Sequence, residues 1–191
     1  AGGTGDLTEL LAKKVGPQGQ VILCDINEAM LDAGRDRLYD KGILSNVQFV
    51  LGDAESLPFP EQYFDAVTLA FGIRNVTDKA RALAEIRRTL KYGGKLIILE
   101  FSKLTLPALQ PAYKAFSGLW PKVGEWITGD SQPYQYLIES IKMHPDQESF
   151  ADMMRTAGFS NVSYENVAGG VVAIHQGTNT DTTASPIQRD N

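Results

Sequence analysis

Short apolar segments alternate with amphipathic helical segments along most of this chain, and this alternation limits the fold more than any other feature. The predicted strands occupy residues 21–24, 47–50, 64–70 and 95–101, and residues 21–24 form a continuous apolar run. Runs of this kind are typical of strands that are buried on both faces. Helical periodicity lies between and after them, with Asp6, Asn27, Thr77 and Asp146 at the predicted helix starts. Gly93 and Gly94 are predicted to end the helix that Thr77 opens. The pattern predicts an α/β fold, a Rossmann-like parallel sheet with helices on both faces.

The alternation stops at residue 102 and resumes after residue 145. This segment holds both tryptophans and no clear strand. Apolar residues at helical spacing, such as Leu109 and Tyr113, predict a largely helical insertion over the sheet. We therefore expect residues 1–176 to form one domain, in which the insertion at 102–145 covers a substrate.

The two ends of the chain differ in character. A glycine turn at residues 2–5 follows directly on Ala1, although such a turn normally follows a strand. We expect that a first strand is missing, which would lie between the strands at residues 21 and 64, and that the chain without it folds poorly. At the other end, apolar runs around Gly169 and Gly170 predict a closing antiparallel hairpin. The polar residues 177–191 predict a disordered tail.

Composition excludes several classes of protein. The chain has 191 residues with a hydrophobic share of 43%, which suits one domain with a sizeable core. A net charge of −5 without a long basic run argues against nucleic acid as a partner. The single cysteine, Cys24, fits a reducing cytoplasmic setting. No apolar stretch is as long as a transmembrane helix, and no signal peptide is visible.

The glycine turn and the acid after the next strand suggest a nucleotide-like ligand. Glycines at a helix start let the backbone approach a ligand and offer free N–H groups. Asp25 ends the next predicted strand, where a carboxylate can accept hydrogen bonds from two ribose hydroxyls. An NAD enzyme would carry the same acid, but Thr8 stands where a dinucleotide fingerprint has Gly or Ala. An ordinary tight turn and a helix-capping or surface acid remain the alternative interpretations.

Two later loops also follow predicted strands. Asp53 could accept a hydrogen bond from an adenine amino group, or it could cap a helix. Arg74 and Asn75 follow the strand at 64–70, and ligands of doubly wound sheets bind beyond the carboxyl ends of strands. Arg74 and Asn75 therefore either bind a polar acceptor molecule or donate hydrogen bonds to carbonyl groups of the loop.

The two histidines are far apart in sequence, and no cluster of metal ligands is apparent, so we predict no metal. His175 lies in a predicted strand, at a position of its alternating pattern, and this favours a structural role. His144 precedes Pro145 in the insertion and is the more plausible pocket residue of the two, although a structural role is favoured for it as well.

Six motifs together resemble the ubiquinone/menaquinone biosynthesis C-methyltransferases, the UbiE family. They are AGGTGD, DIN, DAESLPFP, FGIRNVTD, LEFSK and YQYLIESIKMHPDQ, and the resemblance covers residues 1–177. It implies a class I S-adenosylmethionine-dependent methyltransferase fold and S-adenosylmethionine as the cofactor. The implied reaction is methylation of a ring carbon of 2-methoxy-6-polyprenyl-1,4-benzoquinol or of demethylmenaquinol.

The resemblance places Thr4, Asp25, Asp53 and Ala54 around the cofactor. With the glycine turn and neighbouring loop residues, the predicted cofactor-binding set is Gly3, Thr4, Gly5, Asp25, Ile26, Asp53, Ala54 and Ala70. The predicted substrate-binding set is Phe71, Asp130, Tyr136 and Glu139, and helix packing and capping are the alternative roles of the last three. Some members of the family carry Ser in place of Ala70, so a hydroxyl contact to the cofactor is absent here. Arg74 and Asn75 are the catalytic candidates. Because a guanidinium stays protonated, they would lower the pKa of a phenol and orient a water rather than act as a base.

Three alternatives remain at this point. The chain could methylate another small acceptor, or it could be a non-catalytic subunit of a quinone-synthesis complex. An NAD dehydrogenase is a distant third. For the main interpretation we expect a cytoplasmic protein with a prenylated quinol as its substrate, peripheral contact with the inner membrane, and membership of a quinone-biosynthesis complex.

Overall fold

The structure is a computed structural model that describes residues 1–43, 45–105 and 132–180, without the side chains of Pro133 and Tyr134. Asp130 and most of the predicted insertion lie outside the described residues, as does the predicted tail beyond residue 180. The described helices are α1 (Asp6–Val15), α2 (Glu28–Asp40), α3 (Lys79–Thr89), α4 (Gln132–Met143) and α5 (Gln147–Thr156). The described strands are β1 (Val21–Asp25), β2 (Val47–Leu51), β3 (Phe64–Ala70), β4 (Leu90–Phe101), β5 (Phe159–Val167) and β6 (Val172–Asn179).

The described strands form two groups. β1 and β2 pair in parallel, and a four-stranded sheet has the order β3-β4-β6-β5. β3 and β4 are parallel, whereas β6 is antiparallel to both β4 and β5. The predicted α/β class, with a mostly parallel sheet and a closing antiparallel hairpin, is confirmed. Ala1 and Gly2 lie where the two groups meet, because Gly2 N donates to Cys24 O at 2.8 Å and Ala1 contacts Gly72.

Each group of strands has its own apolar core. Leu23 of β1 packs with Leu31 and Leu38 of α2, and all three are buried. The larger cluster joins β3 and β4 to α3 and α5. Its fully buried members include Leu83, Ile98, Phe150 and Met154. These cores fix the carboxyl ends of the parallel strands, where the predicted site residues lie.

Two predicted helix starts are wrong. Gly5, rather than Asp6, is the N-cap of α1; its φ of 80° is left-handed and suits glycine. Asp78, rather than Thr77, caps α3 by accepting from Arg81 N. The caps predicted at Asn27 and Asp146 are confirmed.

The start of β4 and the end of β6 also differ from the prediction. α3 ends at Thr89 and β4 begins at once with Leu90, because the fully buried Leu90 pairs with Phe64. The next paired residue is Lys95, so the predicted stop at Gly93 and Gly94 is a bulge inside the strand. β6 extends to Asn179, three residues into the predicted tail, because Asn179 donates to the carbonyls of Arg87 and Leu90.

Candidate active site

The glycine turn and Asp25 meet directly. Gly3 N donates to Asp25 Oδ2 at 2.8 Å, and Asn27 N donates to Oδ1 at 2.9 Å. Asp25 lies at the carboxyl end of β1 and is 8% exposed. An ionised carboxylate offers about four acceptor positions. The N-terminal ammonium also lies 3.8 Å from Oδ2. The two hydrogen bonds fix the orientation of the carboxylate and leave acceptor positions for a ligand.

The glycines before α1 let the backbone pack closely against β1 on one side and leave it open to a ligand on the other. A Cβ on Gly2 would lie 2.9 Å from Leu23, and one on Gly5 would lie 3.0 Å from the same side chain. At Gly3, whose φ is +56°, a Cβ would meet nothing within 4 Å, so this side of the turn is open. No side chain caps α1, and its first N–H groups stay available to a ligand. Thr4 Oγ1 donates to Asp6 Oδ2 at 3.2 Å.

The loop after β2 lies beside the end of β1. Gly52 N donates to Asp25 O at 2.9 Å, which joins the two loops. The exposed Asp53 accepts from Glu55 N through Oδ1 at 2.9 Å, while Ala54 packs against the larger core. Ile26 is 66% exposed, although it is apolar and follows Asp25 directly. An apolar side chain in that position can pack against a flat ligand.

The loop after β3 begins with a strained residue. Ala70 pairs with Leu99, and Phe71 N then donates to Leu99 O at 2.8 Å. Phe71 has a φ of +56°, which is unfavourable for a residue with a Cβ. Its ring lies 4.8 Å from that of Phe101 and is 38% exposed. The strain turns an aromatic face outward at the carboxyl ends of two neighbouring strands.

A buried ion pair holds the rest of this loop. Arg74 Nη1 lies 3.0 Å from Glu100 Oε1, and the two side chains are 11% and 1% exposed. Glu100 Oε2 also accepts from Arg74 N at 3.1 Å. The guanidinium donates to Phe71 O and lies over the Phe101 ring, 5.4 Å from its centre. Arg74 is thus engaged on several sides, and Glu100 offsets its charge.

A cavity of about 350 Å³ opens beside this loop. Four predicted residues line it, namely Arg74, Asn75, Tyr136 and Glu139. The remaining lining residues are Val76, Thr77, Lys79, Ser140 and Met143. Tyr136 Oη donates to Asn75 Oδ1 at 3.2 Å, which joins α4 to the loop after β3. The structure therefore brings together two candidate catalytic residues and two candidate substrate-binding residues that are about sixty positions apart.

Both histidines lie in the core around Phe150. His144 and His175 are each 2% exposed, and their ring centres lie 5.1 and 5.0 Å from that of Phe150. His175 Nε2 is bonded to Gln147 O, which agrees with the predicted structural role. Burial, and then the nearby Lys79 charge, lower the pKa of His144 to about 4. His144 is therefore neutral at physiological pH, and it does not line the cavity.

Several residues near the site were not singled out from the sequence. Glu100 is an acid within an apolar buried strand, and that contrast was the available signal. Gln147 Nε2 lies within hydrogen-bonding distance of three acceptors, Lys103 O, Gly170 O and Asn166 Oδ1. Lys103 Nζ donates to the carbonyls of Ile141 and Lys142 at the end of α4. These contacts connect both ends of the predicted insertion to the sheet.

A second cavity among the described residues holds none of the predicted site residues. It has a volume of about 240 Å³ and lies near the amino-terminal end of β3, lined by residues that include Gln62, Arg87 and Asn179. Within 1–43, 45–105 and 132–180, no group of three or more His, Cys, Asp or Glu could hold a metal ion. None of the helices in those ranges is long and apolar enough to cross a membrane.

The strand order and the loops at the carboxyl ends of the parallel strands define the class I S-adenosylmethionine-dependent methyltransferase fold. A solved S-adenosylmethionine-dependent methyltransferase from Aquifex aeolicus is similar to this chain with a TM-score of 0.69. The match covers 94% of this chain and 79% of that protein at 18% sequence identity. At this identity the likeness supports the fold alone.

The sequence places the chain within one family of this class. The ubiE/COQ5 methyltransferase family matches residues 1–179, and the chain belongs to this family. It is 57% identical over 178 residues to a ubiquinone/menaquinone biosynthesis C-methyltransferase UbiE from Stutzerimonas stutzeri, covering 93% of the chain and 70% of that relative. A protein of the same name from Yersinia enterocolitica is 56% identical, and the match covers 93% of this chain and 71% of that relative. The predicted family is confirmed.

Proposed function

We propose that this chain transfers the methyl group of S-adenosylmethionine to a ring carbon of a prenylated quinol. The acceptor is 2-methoxy-6-polyprenyl-1,4-benzoquinol, demethylmenaquinol or both. Relatives at 56–57% identity carry the name of ubiquinone/menaquinone biosynthesis C-methyltransferase. The observation that carries the proposal is the cavity beside the cofactor loops, whose lining joins Arg74, Asn75, Tyr136 and Glu139.

The loops after β1, β2 and β3 are proposed to hold the cofactor, which supplies an electrophilic methyl group when bound. Asp25 has free acceptor positions for ribose hydroxyls, and the open side of Gly3 admits the amino acid part. Asp53 is exposed for a hydrogen bond from the adenine amino group. The remaining contacts are assigned to Thr4, Gly5, Ile26, Ala54 and Ala70.

The cavity is proposed to hold the acceptor ring. The exposed face of Phe71 offers apolar contact at the border with the cofactor loops. Tyr136 and Glu139 supply polar groups from α4, and Asp130 is assigned to the same pocket although it lies outside the described residues. A quinol ring with two hydroxyl groups matches a mostly polar lining in which Val76 and Met143 are the apolar members.

Carbon methylation requires an electron-rich ring and an in-line approach. Loss of a hydroxyl proton to water raises the electron density at the ring carbon. That carbon forms a bond to the methyl group as the methyl–sulfur bond breaks, and the ring then loses its C–H proton to water. Asn75 and the N–H groups of Arg74 are proposed to orient the water that removes these protons.

An apolar prenyl tail favours contact with a membrane near the cavity entrance. Met143 and Tyr136 line the cavity and are 85% and 57% exposed. We therefore include peripheral contact with the inner membrane, and membership of a quinone-biosynthesis complex, in the proposal. Vesicle sedimentation of the parent and of Met143→Glu tests the first part. Weaker sedimentation of the variant is expected, and equal sedimentation would contradict it.

An acceptor panel tests the proposed reaction. The purified protein is incubated with labelled S-adenosylmethionine and with demethylated benzoquinol, demethylmenaquinol or unrelated phenols and amines. Label is expected in the quinols alone. Transfer to another small molecule in preference to the quinols would favour a different acceptor. Cofactor binding without transfer to any acceptor would favour a non-catalytic role.

A further inference from the structure

Lys79 is a cationic residue of the cavity that the sequence motifs did not single out. It is the first residue of α3 and lines the cavity beside Arg74, Asn75 and Tyr136. Its Nζ donates one hydrogen bond to Val76 O at 2.9 Å. An ammonium has three N–H donors. This bond therefore fixes the side chain and leaves further donors for a ligand in the cavity.

The charge of Lys79 is not offset as that of Arg74 is. Glu100 pairs with the Arg74 guanidinium at 3.0 Å, whereas Lys79 makes no ion pair with a carboxylate in the part of the chain that the structure describes. The adjacent Asp78 uses its carboxylate to cap α3 through Arg81 N at 3.0 Å. Glu139 lines the same cavity without pairing with Lys79 among the described contacts.

The position of Lys79 is also electrostatically unfavourable for the fold. The N-terminus of a helix carries partial positive charge, and acidic residues are the ones that stabilise it. Asp78 caps α3, but the first turn holds no acid after that cap, and it begins with this lysine. Neutral His144 lies close enough that the Lys79 charge contributes to its lowered pKa, so it does not compensate for the charge. A cation without an ion-pair partner among the described residues, placed beside a polar cavity, is suited to an anionic ligand.

We infer that Lys79 is a catalytic residue whose ammonium binds a hydroxyl oxygen of the acceptor ring and stabilises it as the phenolate. The inference rests on the proposed function. The hydroxyl proton leaves to water, and the Lys79 ammonium takes no part in the proton transfer. Its charge lowers the free energy of the anion from which the ring carbon attacks the methyl group. Arg74, whose charge Glu100 offsets, then positions the loop and the water, while Lys79 stabilises the anion.

Variants at residue 79 separate this role from a structural one. Lys79→Met removes the charge but keeps much of the side-chain length, and Lys79→Arg restores the charge. Lys91→Met is the matched control, because Lys91 is paired with Asp65 away from the cavity. Turnover of Lys79→Met is expected to fall about a hundredfold, the loss typical when one preorganised oxyanion donor is removed. Lys79→Arg is expected to recover part of it, and Lys91→Met to match the parent.

A second readout does not depend on turnover. Absorbance titration of para-nitrophenol bound to the protein with S-adenosylhomocysteine reports the pKa of a phenol in the cavity. The parent and Lys91→Met are expected to lower that pKa relative to free para-nitrophenol, and Lys79→Met to lose the shift. Equal turnover and equal phenol pKa in Lys79→Met and the parent would overturn the inference. If the parent methylates no quinol, the proposed function fails, whereas the titration still decides whether Lys79 binds a phenolate.

Discussion

Arg74 Nη1 lies 3.0 Å from Glu100 Oε1, and the Glu100 side chain is only 1% exposed. The same carboxylate accepts the Arg74 backbone N–H. One side chain at the end of β4 therefore fixes both the backbone and the guanidinium of the loop after β3. The pair therefore has a structural role in the loop, which can be tested separately from any catalytic role of Arg74.

Glu100→Ala is expected to lower the free energy of unfolding by about 3–5 kcal/mol, because it leaves the Arg74 charge buried without a partner. Urea unfolding measures the change. Glu148→Ala is the control, since Glu148 pairs with Arg155 on the exposed surface and should change stability little. Equal effects of the two substitutions would contradict the structural importance of the buried pair.

Removing both partners distinguishes a structural from a catalytic role for Arg74. The double variant Arg74→Met, Glu100→Met removes two opposite charges together, so its stability should recover most of the loss seen with Glu100→Ala. If Arg74 also orients water, turnover stays low while stability returns. Full recovery of turnover together with stability would remove Arg74 from the catalytic set. Unfolding curves and kcat measured on the same preparations decide between these results.

Asp25→Asn is expected to weaken cofactor binding, because a charge-assisted hydrogen bond to ribose is worth about 1.5–3 kcal/mol. This corresponds to roughly a ten- to hundredfold higher dissociation constant. Calorimetry with S-adenosylmethionine measures it. Asp36→Asn, at an exposed position on α2, is the matched control. An unchanged dissociation constant for Asp25→Asn would sink the assignment of this residue.

Tyr136→Phe removes only the hydroxyl that donates to Asn75 Oδ1 at 3.2 Å. Since Tyr136 is 57% exposed, the fold should be unaffected. The acceptor pocket loses one polar anchor, so the KM for the quinol should rise while the cofactor dissociation constant stays the same. Steady-state kinetics at varied quinol concentration check this. An increase in the cofactor dissociation constant instead would move Tyr136 out of the acceptor pocket.

Stability should depend on pH through His144. Burial lowers its pKa to about 4 in the folded protein, below the ordinary value of 6.5 that applies in the unfolded chain. The unfolded chain therefore binds more protons between pH 6.5 and 4, and stability falls as the pH decreases through that range. Above pH 6.5 this contribution is fully present. Urea midpoints measured at several pH values should show a shallower acid loss for His144→Gln than for the parent. Parallel pH profiles would contradict this account of His144.

Features that depend on local sequence could be predicted, and features that depend on distant contacts could not. Asn27 and Asp146 cap helices next to them in the chain, and the hairpin around Gly169 follows from adjacent residues. The proximity of Gly3 and Asp25, which share a hydrogen bond, could also be predicted, because both residues lie at the same end of neighbouring elements.

The contacts that organise the cavity cross larger separations. Glu100 is 26 positions from Arg74, and Tyr136 is 61 positions from Asn75. Periodicity contains no information about which polar side chains will pair after folding. The bulge in β4 was missed for a similar reason, since Leu90 joins the strand only because the core buries it against its partner.

The central claim is that this chain methylates a ring carbon of a prenylated quinol with S-adenosylmethionine. The most direct test uses cofactor with an isotopically labelled methyl group and a demethylated quinol, followed by nuclear magnetic resonance of the extracted product. We predict that the labelled methyl correlates through bonds with the carbons of the quinol ring. A labelled methyl on oxygen, or unmodified quinol from protein that binds the cofactor, would contradict the account.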